Sequence, residues 1–564
     1  MRAASSTKNP PSRPNILILL TDQQRFDTIA AAGYPHMITP NLDRLVREGC
    51  TFTRAYSPNP ICVPARHCLL TGAPAHLHGY FQNAHGPIRD PHLPTLPRVF
   101  SDHGYRTALI GKGHFYPPTE PHGYQETHLM EELPRAVEED AYLQFLSGRG
   151  HGDLRNIHGI RPVLYHEPQP ALVAEDELGP AWVGQRACAW LRDHDRKQPF
   201  LLSCHWIKPH PPWNVPESKA GLYANADLPD PIPGRREPPF PTEPSDLYGD
   251  HDTPEEKRKI REAYFTTITM VDEAVGGILR TLEEQGILDD TMIIFSSDHG
   301  EMLQDRGYYQ KMLPFESSAR IPFVIRYPAH FPAGSTRDDL VDLMDIFPTC
   351  LDAAGIDYHD REANRPYRLF GGSLLPGSSS PWKRDPDHQF CDSLLGRNRW
   401  VMMRNRRYKY ICFFGGGAEY LYDMERDPAE QYNLLADADY PREVYEDLKR
   451  RAIKHEMERG PGGTVRDDAF VTHPGNHPPF DWNNNDKYPR WCFNNVQTFG
   501  RTDREAELFL TEWDRVTREW PREKINRFPL PSAAIDLLSE SIRQLGGDPR
   551  EILNRLKPPA KNPS

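Results

Sequence analysis

Asn15-Ile16-Leu17-Ile18-Leu19-Leu20 is an unbroken apolar run closed by Thr21-Asp22. Strict alternation would mark a strand wet on one face. An unbroken run marks a strand covered on both faces, as in a sheet packed between helical layers. The chain then keeps alternating in type. Residues 40–48, behind Thr39 and stopped by Gly49, read as a helix. A helix ends near Gly104, and residues 107–110 read as a short strand. Residues 178–194 read as an amphipathic helix, followed by a strand at 199–204. Residues 255–285 form a long helical pattern with Ile260, Tyr264, Ile268, Val271 and Val275 on one stripe. Strands are expected at 291–295 and 321–327, and a helix at 341–354. Such alternation predicts an α/β fold with a largely parallel sheet flanked by helices. Ligands of such sheets bind beyond the carboxyl ends of the strands. Asp22 and Asp298 stand at two of those ends, and they converge if the two strands are neighbours.

The second decisive stretch is Cys62-Val63-Pro64-Ala65-Arg66, followed by Leu70-Thr71-Gly72. Pro64 and Ala65 suit the first turn of a helix. Arg66 then lies four residues after Cys62 on the same helix face, at the end where free backbone N–H groups favour anions. This stretch resembles the signature of the type I sulfatases, within the alkaline phosphatase superfamily. The resemblance implies an alkaline-phosphatase-like fold and oxidation of Cys62 to formylglycine by a formylglycine-generating enzyme. The aldehyde hydrates to a diol, one hydroxyl attacks sulfur, and the other later expels sulfate.

Asp22-Gln23 and Asp298-His299 supply two carboxylates, an amide oxygen and an imidazole. Such a set suits a hard divalent cation. By resemblance, Asp22, Gln23, Asp298, His299 and the modified Cys62 are metal ligands. Many relatives carry Asp where this chain has Gln23 and Asn where it has His299. Calcium is the first expectation, with manganese or magnesium as alternatives.

Gly111-Lys112-Gly113-His114-Phe115 follows the strand at 107–110. If the segment is extended, Lys112 and His114 point the same way. The resemblance makes one a cation for the sulfate oxygens and the other a base for the second hydroxyl. It likewise makes His210, in Lys208-Pro209-His210-Pro211-Pro212-Trp213, the acid for the leaving alcohol, and it places Lys311, thirteen residues past Asp298, on the ester oxygens. His205 and Lys208 are read as surface residues. Asn83 is a candidate donor to a substrate oxygen. Trp206 and Trp213 are read chiefly as core, with stacking on a sugar or aryl group as the other use.

The formal net charge of −12 makes nucleic acid an unexpected partner, so an anionic substrate must meet locally clustered cations. Arg66, Lys112 and Lys311 are the expected cluster. Nine cysteines without CxxC pairs argue against a disulfide framework or a zinc ribbon. Residues 1–13 carry no apolar segment of a secretory signal, so a cytoplasmic location is expected. No run is long enough to suggest a membrane partner. The expected units are a catalytic domain at 13–385, a smaller domain with an antiparallel sheet at 386–460, and a partly helical extension at 461–564 with helices at 503–519 and 533–545. Homo-oligomerisation is left open. The function expected is hydrolysis of a sulfate monoester on a carbohydrate or aryl group, as a small molecule or oligosaccharide. The rival on the same scaffold is a phosphonate monoester or phosphodiester hydrolase; in those relatives the residues at the Lys112-x-His114 position tend to differ. A rival of another class is a ligand-binding protein with Cys62 unmodified.

Overall fold

The computed structural model describes residues 13–473, apart from 84–87, 119, 135, 153, 155–156, 160–167, 235–252, 361–364, 379 and 382–384, together with residue 543. The main sheet is built from β1 (Asn15–Asp22), β2 (Cys50–Tyr56), β3 (Arg106–Gly111), β4 (Glu126–Leu129), β5 (Phe200–Pro209), β6 (Thr291–Ser297), β7 (Arg320–Ile321), β8 (Phe323–Arg326) and β9 (Ser335–Asp342). Its order is β9-β2-β8-β6-β1-β5-β3-β4, with β7 on β2. The pairs β1–β5, β1–β6, β3–β5, β3–β4 and β2–β9 are parallel. β8 runs antiparallel to both β2 and β6, so the sheet is mixed but mostly parallel.

The helices that position the site are α1 (Pro40–Glu48), α2 (Cys62–Thr71), α3 (Leu96–Asp102), α4 (Gly179–Asp193), α5 (Pro254–Glu284) and α6 (Ile346–Ala354). Two apolar clusters form the layers. Ile16, Ile18 and Leu20 of β1 pack with Leu69 and Leu70 of α2 and with α6. Leu17 and Leu19 pack with Trp182 and Val183 of α4 and with Val271, Val275 and Ile278 of α5. β1 therefore sends successive side chains into opposite cores, which is why its sequence is unbroken and apolar. Its register places Leu20 beside Ser296 and Thr21 beside Ser297. Asp22 and Asp298 therefore leave neighbouring parallel strands at the same end.

Several boundaries differ from expectation. Residues 341–342 belong to β9 rather than to a helix, and α6 begins at Ile346. β9 is an edge strand whose first half, Ser-Thr-Arg-Asp-Asp, is polar and partly exposed, so it carries no apolar signal. β2 and β4 are also unheralded, being part-polar strands with mixed burial. Thr39 does not cap α1 with its side chain. The buried carboxylate of Asp272 on α5 accepts the Asn41 and Leu42 N–H groups instead, at 3.0 and 2.7 Å.

A second sheet of four antiparallel strands follows: β10 (Gln389–Ser393), β11 (Trp400–Arg404), β12 (Tyr408–Phe413) and β13 (Glu419–Asp423). One face packs on α7 (Arg442–Arg459) through Val401, Met403, Leu448 and Ala452. The other packs on the main body through Trp400, Met402 and Ile411 against Tyr56, Phe315 and Leu340. The helices expected at 503–519 and 533–545, and most of the extension at 461–564, lie outside the described residues. Among the described residues no helix is long and apolar enough to cross a membrane.

Candidate active site and metal centre

α2 starts at Cys62 and is buried along its whole length, running from the strand ends into the protein. Its N-cap, Ile61, offers no side-chain acceptor. Asn83 supplies one from a distance, its Oδ1 accepting the Val63 N–H at 3.1 Å. The amide oxygen of the expected substrate donor is thus committed to holding the helix that carries Cys62. Helical geometry sets Arg66 one turn on, as expected from its spacing. Its Nε donates to Asp298 Oδ2 at 2.8 Å, its Nη2 to Asp22 Oδ2 at 3.1 Å and its Nη1 to the Lys112 carbonyl at 3.0 Å.

The two carboxylates are divided in the same way. Their Oδ2 atoms face cations, because Lys112 Nζ also reaches Asp22 Oδ2, at 2.6 Å. Their Oδ1 atoms face inward. Asp22 Oδ1 lies 3.8 Å from Cys62 Sγ and 3.7 Å from His299 Nε2. Asp298 Oδ1 lies 3.5 Å from His299 Nε2 and accepts the Gln23 and His299 N–H groups at 3.1 and 2.9 Å. His299 Nδ1 sits 3.0 Å from the Gly300 carbonyl, which fixes the proton there and leaves the Nε2 lone pair toward Cys62 Sγ at 3.2 Å. Asp22, Cys62, Asp298 and His299 thus bring one ligand atom each to within 4.8 Å of one another. Carboxylate oxygens with an aimed imidazole lone pair fit a divalent cation. Electrostatics agree. Burial and the neighbouring Asp22 charge push Asp298 up. Burial alone would raise Asp22 too, but the cations beside it, Lys112 first and then Arg66, outweigh it and hold it well below the carboxylate range. Burial, with Asp22 beside it, pushes the Cys62 thiol up to about 12.

Gln23, next to Asp22, has a left-handed backbone, φ 69°, and its side chain lies between Glu301 and Lys311. Its amide nitrogen donates to Glu301, and its oxygen accepts from Lys311 Nζ at 2.6 Å. Lys311 is accordingly buried beside the expected ligands.

Lys112 and His114 are not on an extended segment. β3 ends at Gly111, and His114 has φ 50°. Glu131 Oε1 accepts the N–H groups of both Gly113 and His114 at 2.9 Å, curling the chain off the strand. Among the described residues His114 Nδ1 is buried without a hydrogen-bond partner, and burial, with Lys112 nearby, holds the imidazole well below its usual range. His210, just past the end of β5, has Nδ1 2.6 Å from the Pro211 carbonyl and Nε2 3.7 Å from Glu132 Oε1. His205 and Lys208 are buried, not surface residues. Lys208 Nζ donates to the Pro212 carbonyl, closing the loop that carries His210, and burial drops its ammonium to about 7. Trp206 and Trp213 are fully buried, their indole N–H groups donating to Pro180 and Pro209 carbonyls, so neither stacks on a ligand.

Three acids beside the site carried no signal in the sequence: the half-buried Glu131 and the buried Glu132 and Glu301. Glu301 lies only three residues past Asp298; its Oε1 accepts the Leu303 and Gln310 N–H groups at 2.9 and 2.6 Å and steadies the loop before Lys311. Glu131 and Glu132 follow β4, a strand without an apolar run, and nothing in the sequence signalled them.

The likeness to known proteins is extensive. The sulfatase family model matches residues 14–356, and one described as N-sulphoglucosamine sulphohydrolase, C-terminal, matches 304–458. An arylsulfatase of Clostridium perfringens is 30% identical over 475 residues, covering 79% of this chain and 95% of that protein. An N-acetylglucosamine-6-O-sulfatase of Bacteroides thetaiotaomicron is 26% identical over 515 residues, covering 78% and 86%. Among solved structures, the phosphonate monoester hydrolase of Agrobacterium radiobacter superposes with a TM-score of 0.66 at 28% identity, covering 79% of this chain and 96% of that one. With a family match over more than half its length and the alkaline-phosphatase-like architecture described above, the chain belongs to the sulfatase family of sulfuric ester hydrolases.

Proposed function

We propose that the protein hydrolyses a sulfate monoester of a carbohydrate or aromatic alcohol, with Cys62 converted to formylglycine as the nucleophile. The observation that carries this reading is the position of Cys62 Sγ, where a hydroxyl of the hydrated aldehyde would stand: against Asp22 Oδ1 and His299 Nε2, with Arg66 and Lys112 on the far oxygens of the carboxylates and Lys311 on Gln23. Asp22, Gln23, Asp298 and His299 would hold one divalent cation, with calcium the first expectation for so oxygen-rich a set. When bound, such a cation neutralises charge on the ester and lowers the pKa of an adjacent hydroxyl.

The chain's own residues supply the rest. Arg66 and Lys112 clamp both Oδ2 atoms and so aim both Oδ1 atoms inward. Lys311, buried next to Gln23, offers its ammonium to the ester oxygens in a site where water screens little. As the S–O bond breaks, its electron pair goes to the alcohol oxygen, and His210 Nε2 gives that oxygen a proton. His114, held neutral by burial, takes the proton of the remaining hydroxyl at position 62 as sulfate departs.

The likeness to a phosphonate monoester hydrolase structure makes that activity the reading to exclude. Initial rates on paired aryl sulfate and aryl phosphonate monoesters separate the two. The matured enzyme is expected to turn over the sulfate faster; a preference for the phosphonate would replace this reading with its rival.

A further inference from the structure

Glu132 is a buried carboxylate that joins two of the groups assigned above. Its Oε2 lies 2.8 Å from Lys112 Nζ and its Oε1 lies 3.7 Å from His210 Nε2. Both partners are themselves buried. Lys112 already pairs with Asp22, so its charge does not depend on Glu132 alone. His210 is different. Its Nδ1 is committed to the Pro211 carbonyl, so only Nε2 can carry the proton that moves. Among the described residues, the carboxylate that stands within ion-pair distance of that nitrogen is Glu132.

From this geometry, and resting on the function proposed above, we propose that Glu132 is the positioning residue of the leaving-group acid. It turns His210 Nε2 into the site and balances the imidazolium before the proton passes to the departing alcohol. A buried imidazolium without a counter-charge is costly. Burial, with Lys311 and Lys112, holds the His210 ring well below its usual range, and Glu132, with Asp22 behind it, opposes that shift. The role should therefore matter most where the leaving group cannot depart as an anion. With a nitrophenolate the S–O bond breaks with little help, whereas a poorer phenolate or an alkoxide needs the proton.

The test is the leaving-group dependence of kcat in Glu132→Gln, with matured enzyme on 4-nitrophenyl sulfate and phenyl sulfate. The expected result is a loss of about tenfold or more on phenyl sulfate, with a much smaller loss on 4-nitrophenyl sulfate. Glu132→Asp should recover part of the phenyl sulfate rate. Equal losses on both esters would overturn the proposal, since they would mean that Glu132 serves only to seat Lys112. If Glu132→Gln fails to fold, Glu132→Asp and His210→Ala decide. A loss selective for phenyl sulfate in both supports the proposal, and equal losses on the two esters in either overturn it. A wild type active on aryl phosphonates but not on aryl sulfates would instead defeat the proposed function. The same pair of leaving groups on phosphonate monoesters would then still decide the role of Glu132.

Discussion

Two clusters of buried charge in this chain are built to opposite ends. At the seam between the two sheets, Glu316 accepts the Tyr56 hydroxyl at 2.9 Å and pairs with Lys409, Arg404 and Arg320 at 3.0, 3.4 and 3.5 Å. Glu430 pairs with the same Lys409 at 2.6 Å and accepts the Glu316 N–H at 2.8 Å. Lys409 meets both acids, and Glu316 meets two arginines and a hydroxyl besides. In the site around Cys62, Arg66 and Lys112 meet only the outer oxygens of Asp22 and Asp298. The inner oxygens face a thiol and an imidazole lone pair, neither of which carries positive charge. Burial of charge is common to both clusters and does not separate them. What separates them is convergence of acceptors on a point that, among the described residues, no cation fills.

The seam is the cluster most sensitive to loss of a single cation. Lys409→Met leaves Glu316 and Glu430 buried with less counter-charge. It is expected to cost about 3–5 kcal/mol in denaturant unfolding, with turnover per folded molecule little changed. Its pH signature follows from Glu316. Burial would raise that carboxyl, but Lys409, Arg404 and Arg320 outweigh it and hold it below its usual 4.5, at about 2. The stabilisation is full above 4.5 and drains as the pH falls from there toward 2. Lys409→Met should shrink this acid loss; an unchanged acid limb would contradict the assignment.

Metal addition sharpens the other half. Calcium added to chelator-treated protein at about a hundredfold above its Kd should raise stability by about 2.7 kcal/mol. The same increment should persist in Lys409→Met, because the two clusters share no partner, and should vanish in Asp298→Asn. An equal increment in Asp298→Asn would place the cation elsewhere. The smallest expected effect is at Asn83. Asn83→Ala removes the distant cap of α2 and should cost about 1 kcal/mol, with KM unchanged; a raised KM with full stability would return Asn83 to the substrate.

Much of this was legible in the sequence because it rests on local periodicity. The run at Ile16–Leu20, the stripe along α5 and the spacing of Cys62 and Arg66 each carry their geometry in the order of residues. The convergence of Asp22 with Asp298 was legible as a condition on strand order, and the register of β1 with β6 meets it. What escaped depends on contacts that no spacing encodes. The polar half of β9 looks like loop. The curl at His114 is imposed by Glu131 from another strand end. Glu132, Asp272 and Glu316 act across 20, 230 and 93 residues of sequence respectively. His205 and Lys208 looked solvated by residue type, yet β5 carries them into the interior.

The proposed chemistry requires that the reactive group at position 62 be an aldehyde made from the thiol. The most direct measurement follows two quantities across preparations matured to different extents with a formylglycine-generating enzyme. One is the fraction of the Cys62 peptide whose mass shows sulfur and two hydrogens replaced by a single oxygen. The other is the rate of aryl sulfate hydrolysis. The rate is expected to be proportional to that fraction, with an intercept near zero. A rate independent of the fraction, or full activity with the thiol intact, would contradict it.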